Sequence, residues 1–299
     1  MKNKIKNIHV IINPASGRSE SILPIINTSL KEAGIIWEAS ITHQAGDAIQ
    51  FAKNAVKEGI DALAVYGGDG TLTEAISGLM GSEVPLVILP GGSANVMANE
   101  LGIPYDLKEA CKLISHGRRE IKTIDLGQLD KRYFIIGISI GFSADLVKGA
   151  DRQTKNRIGI LAYFLSAAAA LRKLKLSEYH LKIDGQERVV QGLTCIIANT
   201  GNLGFTKISL DKHIDVSDGL LDIVVVRKAN LSLLKLVMVT LIKRERPDNF
   251  ELVGHWQGKE ISVTSSRTQV VQCDGEVLEK IPHHINIIPG AIKVLVPLK

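Results

Sequence analysis

The stretch Ala62-Leu63-Ala64-Val65-Tyr66-Gly67-Gly68-Asp69-Gly70-Thr71-Leu72-Thr73-Glu74 decides the fold. Its first five residues form an unbroken apolar run, the pattern of a strand buried on both faces. Two glycines follow at once, and a helical pattern is under way by Leu72. A strand that feeds a helix through so short a loop belongs in a parallel sheet covered by helices. Such loops lie at the carboxyl edge of the sheet, where α/β proteins bind their ligands. Adjacent glycines let the backbone turn with positive φ and come close to a bulky anion with no Cβ in the way. The helix start beyond them offers unpaired N–H groups and the positive end of its dipole to a phosphate. Asp69 inside an anion cradle needs its own reason. Either it accepts a proton from an attacking hydroxyl, or it holds Mg²⁺ against the phosphates.

The same grammar repeats on both sides. Ile8-His9-Val10-Ile11-Ile12 reads as a strand broken by Pro14-Ala15-Ser16-Gly17, with a helix from about Ser19 to Ala33. Trp37–Thr42 is a strand, and a helix runs from Asp47 to about Glu58. Pro85–Leu89 is another strand, followed by Gly91-Gly92 and a helix through Glu100. Asn13-Pro14-Ala15-Ser16-Gly17-Arg18 offers an amide, a hydroxyl and a guanidinium suited to phosphate. Pro90-Gly91-Gly92-Ser93-Ala94-Asn95 repeats the glycine-then-helix arrangement. Three such loops would share one sheet edge. Neither the P-loop string nor the Rossmann glycine fingerprint occurs.

From about Leu126 the texture changes. Tyr133–Gly141, Leu193–Ala198, Leu221–Val226, Glu260–Val263, Gln269–Cys273 and Ile292–Val296 are strand-like runs separated by turns. Asp184-Gly185 is a strong hairpin signal. Many strands with few helices between them predict an antiparallel β-sandwich. Two helical patterns, Ile158–Leu176 and Leu231–Lys243, interrupt it. The expected boundary between the α/β domain and the sandwich lies near residue 125.

Composition narrows the partners. Only 4% of the 299 residues are aromatic, which argues against a stacking platform for nucleic acid. Lys and Arg total 36 against 31 Asp and Glu, a net charge of +5 that suits an anionic nucleotide or anionic lipid headgroups. Cys111, Cys195 and Cys273 are scattered and odd in number, so no disulfide or zinc framework is expected and a reducing cytoplasm is the default. The longest apolar stretch, Ile158–Leu171, is 14 residues, too short to cross roughly 30 Å of hydrocarbon as a helix. Its basic end, Arg172-Lys173-Leu174-Lys175, fits an interfacial helix. The expectation is a cytoplasmic protein, peripheral at most on the inner face of the membrane, with a homodimer left open.

Taken in order, Asn13-Pro14-x-Ser16-Gly17, Gly67-Gly68-Asp69-Gly70-Thr71 and Pro90-Gly91-Gly92-Ser93-x-Asn95 resemble the diacylglycerol kinase catalytic-domain family, which includes bacterial lipid kinases, sphingosine kinases and ceramide kinases. The resemblance implies an NAD kinase/phosphofructokinase-like N-terminal domain over 1–125, with 290–299 returning to it, and a C-terminal sandwich over 126–289 that takes a lipid substrate. ATP and Mg²⁺ would lie in the cleft between the two domains. It implies nucleotide contacts from Asn13, Ser16, Gly17, Arg18, Thr42, Gly67, Gly68, Asp69, Gly70, Thr71, Glu74, Gly92, Ser93 and Asn95. Cys273-Asp274-Gly275-Glu276 resembles the family's Asp-Gly-Glu, which makes Asp274 the expected general base, with Glu276 and Asp125 as acidic companions around water and metal. Asp215-Val216-Ser217-Asp218-Gly219-Leu220 resembles a structural Mg²⁺ loop whose ligands would be Asp215, Asp218 and the Leu220 carbonyl.

The third loop departs from the bacterial pattern Gly-Thr-x-Asn-Asp: Ser93 replaces Thr and Val96 replaces Asp. The change leans toward the sphingosine-kinase side and leaves the acceptor open. The expected activity is transfer of the γ-phosphate of ATP to a lipid hydroxyl at the membrane surface. Two other readings stay open: a soluble-substrate kinase such as NAD kinase, and a non-catalytic sensor of nucleotide or lipid.

Overall fold

A computed structural model describes residues 5–16, 21–115, 119–141, 175–201, 214–227, 253–281 and 284–298. Residues 158–174 of the first interrupting helical pattern, the whole of the second, and Gly17 and Arg18 lie outside the described residues. Among the described residues no helix is long and apolar enough to cross a membrane.

The first lobe alternates β1 (Asn7–Ile12), α1 (Ile22–Glu32), β2 (Ile36–Ile41), α2 (Asp47–Lys57), β3 (Ala62–Gly67), α3 (Asp69–Leu79), β4 (Leu86–Pro90), α4 (Val96–Glu100) and α5 (Leu107–Ser115). The strands pair in parallel in the order β2-β1-β3-β4. Ile12 is in register with Ile41 and Tyr66, and Gly67 with Pro90, so the loops after β1, β2, β3 and β4 leave from one edge. Helices α2 and α3 pack on each other, as do α1 and α5, and every residue of β3 and β4 is buried. Small residues set the α2–α3 distance: a Cβ on Gly78 would stand 2.5 Å from the Ile49 carbonyl and 2.6 Å from Ala52 Cβ.

The second lobe is a sandwich of antiparallel strands. Its strands are β5 (Arg119–Leu129), β6 (Arg132–Phe134), β7 (Gly137–Ile140), β8 (Ser177–Ile183), β9 (Gln186–Gly192), β10 (Thr194–Ala198), β11 (Leu221–Val226), β12 (Val253–Gly258), β13 (Glu260–Ser265), β14 (Val271–Cys273), β15 (Glu276–Leu278) and β16 (Ile285–Pro297). One sheet runs β12-β11-β10-β7-β14-β15. The other continues the parallel sheet through β4-β16-β13-β8-β9, with β5 on β16 and β6 on β5. Phe134, Ile138, Tyr179, Ile197, Ile223 and Val263, drawn from both sheets, fill the core between them.

Strand β16 belongs to both lobes. Its first residues pair with β5 and β13, and Val294 pairs in parallel with Leu86 of β4. The change of partner falls at a bulge between Ile288 and Ile292, where Gly290 takes φ 60°. The division expected near residue 125 falls inside β5, which pairs with β16 along both halves.

Candidate active site

The loops after β3 and β4 are tied together at the carboxyl edge. Gly91 and Gly92 both donate their N–H to the Gly67 carbonyl, at 3.0 and 3.1 Å. None of Gly67, Gly68, Gly70, Gly91 and Gly92 has positive φ, contrary to the expectation for a glycine turn. Their use here is close approach. A Cβ on Gly92 would stand 2.5 Å from Gly68 Cα, and one on Gly91 would stand 2.8 Å from the Tyr66 ring. Asn95 takes the left-handed conformation instead, at φ 47°, and its side-chain amide closes on both the N–H and the carbonyl of Gly92.

Asp69 opens α3, yet its carboxylate serves the next helix. Oδ2 accepts from the Val96 N–H at 3.1 Å and Oδ1 from Met97 at 3.3 Å, so Asp69 caps the start of α4. Burial pushes its carboxyl above the ordinary range, against the pull of those backbone donors. A small recess lined by Gly67, Gly68, Asp69, Asn95 and Ala98 lies where the loops meet.

The first loop docks on the same place. Asn13 donates its N–H to the Tyr66 carbonyl at 2.9 Å, and its Nδ2 donates to Thr71 Oγ1 at 2.8 Å. Ala15 donates to Asn13 Oδ1, and Ser16 donates to the Asn13 carbonyl. Thr42 is buried beside this loop, with its N–H on the Ile12 carbonyl at 2.9 Å. Ser93 is exposed at the third loop's tip, and Glu74 is half-buried on α3.

Asp274 arrives from the other lobe. It and Gly275 form the two-residue turn between β14 and β15, at φ 47° and 88°, the left-handed pair that an Asp-Gly hairpin favours. Its carboxylate accepts the N–H groups of Ile135 (2.8 Å), Ile136 (2.9 Å) and Gly137 (3.1 Å). Those donors interrupt the Tyr133–Gly141 run into β6 and β7. A fourth donor, Thr73 Oγ1, lies 3.1 Å from Asp274 Oδ2 and 3.0 Å from the Asp69 carbonyl oxygen. Residues 201 apart in sequence thus meet one helical turn from Asp69. Burial raises the Asp274 carboxyl, with the three backbone donors and Thr73 pulling the other way.

The two expected acidic companions, Asp125 and Glu276, each have partners of their own. Asp125 is 2% exposed, and each oxygen accepts a backbone N–H at 2.7 Å, from Gly219 and from Gly290. It braces β5 against the 214–220 loop and the β16 bulge, because a carboxylate buried there must take both donors. Glu276 is 75% exposed and pairs with Arg132 at 3.6 Å. Beside Asp125, Asn199 donates to the Asp125 and Ile135 carbonyls, while its Oδ1 is buried with no partner among the described residues.

In the 215–220 loop, Asp215 Oδ1 accepts from Ser217 and from Lys122 Nζ at 3.1 Å, and Asp218 Oδ1 accepts from the Leu220 N–H. Burial raises the Asp218 carboxyl, and Asp222, Asp215 and Asp125 add to the effect. Crowded carboxylates with a nearby carbonyl are a donor set that a hard divalent cation fits.

Motif reading passed over Thr73. It lies inside the glycine-aspartate stretch, but nothing local marks a threonine whose partner is folded in from a distant hairpin.

The site is thus built by two lobes, the glycine loops and α3 of the α/β lobe and an aspartate delivered by the antiparallel sandwich. Sequence families agree. The diacylglycerol kinase catalytic domain model matches residues 7–129, and the YegS C-terminal NAD kinase beta sandwich-like domain model matches residues 137–296. The chain belongs to the diacylglycerol kinase catalytic-domain family. It is 29% identical over 299 residues to a Staphylococcus saprophyticus protein named diacylglycerol kinase, covering 98% of this chain and 96% of that one. It is 29% identical over 312 residues to the Mycobacterium tuberculosis diacylglycerol kinase, covering 99% and 97%. A solved structure from Bacillus anthracis superposes with a TM-score of 0.81 at 25% identity, covering 99% of this chain and 97% of that one.

Proposed function

We propose that this protein is an ATP- and Mg²⁺-dependent lipid kinase that transfers the γ-phosphoryl group of ATP to a lipid hydroxyl at the membrane surface. The observation that carries the reading is the meeting of Asp274 with α3 beside Asp69, beneath loops built for an anion. In this reading Asn13, Ser16, Thr42, Thr71, Glu74, Ser93 and the Gly67–Gly70 backbone hold the nucleotide, together with Gly17 and Arg18. Asp215, Asp218 and the Leu220 carbonyl hold a structural Mg²⁺. A bound Mg²⁺ at the phosphates neutralises charge that develops on the transferring group.

Asp274 acts as general base. The acceptor oxygen bonds to the γ-phosphorus as the bond to the bridging oxygen breaks. ADP leaves, and the hydroxyl proton passes to Asp274 Oδ2. That oxygen can take a proton because Thr73 has an alternative acceptor. Its single proton can turn to the Asp69 carbonyl, 3.0 Å away, and release a lone pair on Oδ2. Asp69 holds the two glycine loops in place by capping α4.

Incubation with labelled ATP, Mg²⁺ and pure lipids in mixed micelles tests the reading. Label should appear in one or more of diacylglycerol, a sphingoid base, phosphatidylglycerol or a polyprenol. Transfer to NAD in place of every lipid, or nucleotide binding with no transfer at all, overturns it. The peripheral membrane contact predicts co-sedimentation with anionic vesicles at low salt.

A further inference from the structure

A second group of ligating side chains lies on the first lobe, toward the end of the sheet away from the glycine loops. One ligand atom each from His9, Glu38 and Glu58 falls within 4.8 Å of the others. His9 and Glu38 are registered neighbours on β1 and β2, so their side chains leave the sheet on the same face. Glu58 is the C-cap of α2, just beyond Lys57, where the helix dipole is negative. The three line an open recess with Asn7, Ile8 and Ile60.

The details suit a metal better than a solvated acidic patch. His9 is only 9% exposed, and its Nε2 lies 2.9 Å from Ser40 Oγ. That contact fixes the ring as an outer-shell partner does for a ligating histidine, and leaves Nδ1 as the second ring atom available to ligate. Burial keeps the imidazole pKa below its usual value, against the pull of Glu58 and Glu38. Neither glutamate side chain has an ion pair with Lys or Arg among the described residues. Two carboxylates and a helix carboxyl end around the imidazole concentrate negative potential where a cation would be welcomed. Both glutamates are exposed and free to close on an ion at the ~2.0–2.2 Å that zinc requires.

We propose that His9, Glu38 and Glu58 bind a divalent transition metal of the zinc class, separate from the nucleotide cleft, with water completing the shell. Such an ion would clamp β2, the edge strand of the sheet, to the end of α2. Nitrogen-containing donors distinguish it from the all-oxygen sites expected for Mg²⁺.

The test is calorimetric titration of the untagged full-length protein with Zn²⁺ in the presence of excess Mg²⁺, with Co²⁺ absorption as a second probe. One saturable equivalent and a rise in melting temperature are expected. Glu58→Gln and Glu38→Gln change exposed residues, so their folding should be unaffected, and each should weaken Zn²⁺ by at least about tenfold. Ser40→Ala, which removes only the outer contact, should weaken it by about 10–100-fold. His9→Gln should abolish the Co²⁺ spectrum. No saturable Zn²⁺ binding by the wild type, or unchanged affinity in either glutamate variant, overturns the site.

Discussion

Asp184-Gly185 joins β8 to β9 and Asp274-Gly275 joins β14 to β15, and the two turns share one backbone geometry. Both aspartates sit at φ 47°, followed by glycines at 83° and 88°. Both carboxylates accept backbone N–H groups: Asp184 from Lys259 and Glu260, Asp274 from Ile135, Ile136 and Gly137. Among the described residues the partners of the Asp184 carboxylate end there, on an exposed corner of the sandwich. Asp274 has one partner more, and Thr73 belongs to the other lobe. Turn chemistry is set by two residues, whereas the use of the turn is set by what the packing of two lobes brings against it.

The sharpest way to break the comparison is to remove both charges. Asp274→Asn should lower kcat by at least about a hundredfold, with ATP binding intact, while Asp184→Asn stays within about twofold of wild type. Equal losses in steady-state lipid phosphorylation would erase the distinction. Removing the glycines comes next. Gly185→Ala and Gly275→Ala should each cost roughly 1–2 kcal/mol in chemical denaturation, since each forces a side chain into the left-handed region. Turnover should fall only with Gly275→Ala.

The pH profile separates the two carboxylates further. Burial raises Asp274, and a base works only as the anion, so activity should be lost as pH falls through that raised value. The acid limb of kcat/KM should lie above the usual aspartate value of about 3.9 and stay unmoved in Asp184→Asn. The smallest effect belongs to Thr73→Val, because three backbone donors still hold Asp274. A severalfold loss is expected, with Thr73→Ser restoring the rate. A loss as large as that of Asp274→Asn would make Thr73 more than a positioning group.

Much of this was legible before any coordinates. Strands β1, β3 and β4 announce themselves as apolar runs stopped by Gly or Pro, and the hairpin at Asp184 by its dipeptide. Helix α3 begins at Asp69, earlier than the apolar pattern at Leu72, because its first turn is Asp-Gly-Thr and carries no periodicity. Helix α5 buries Leu107, Ala110, Cys111 and Ile114 on one face but is too short to stand out between loops. Of the two uses expected of the loop glycines, positive φ is absent, whereas the missing Cβ does allow a close approach, here of one loop to the other. The family resemblance groups Asp125 and Glu276 with Asp274. Only the fold shows one bracing glycine amides and the other facing Arg132 in solvent.

Strand β16 has a consequence for biosynthesis. Until residues 285–297 emerge from the ribosome, β4 has no partner on its outer side and β5 lacks its main one. A nascent chain would therefore carry an open, apolar sheet margin through the translation of about 150 residues, the kind of surface that chaperones shield. Neither lobe can be finished first.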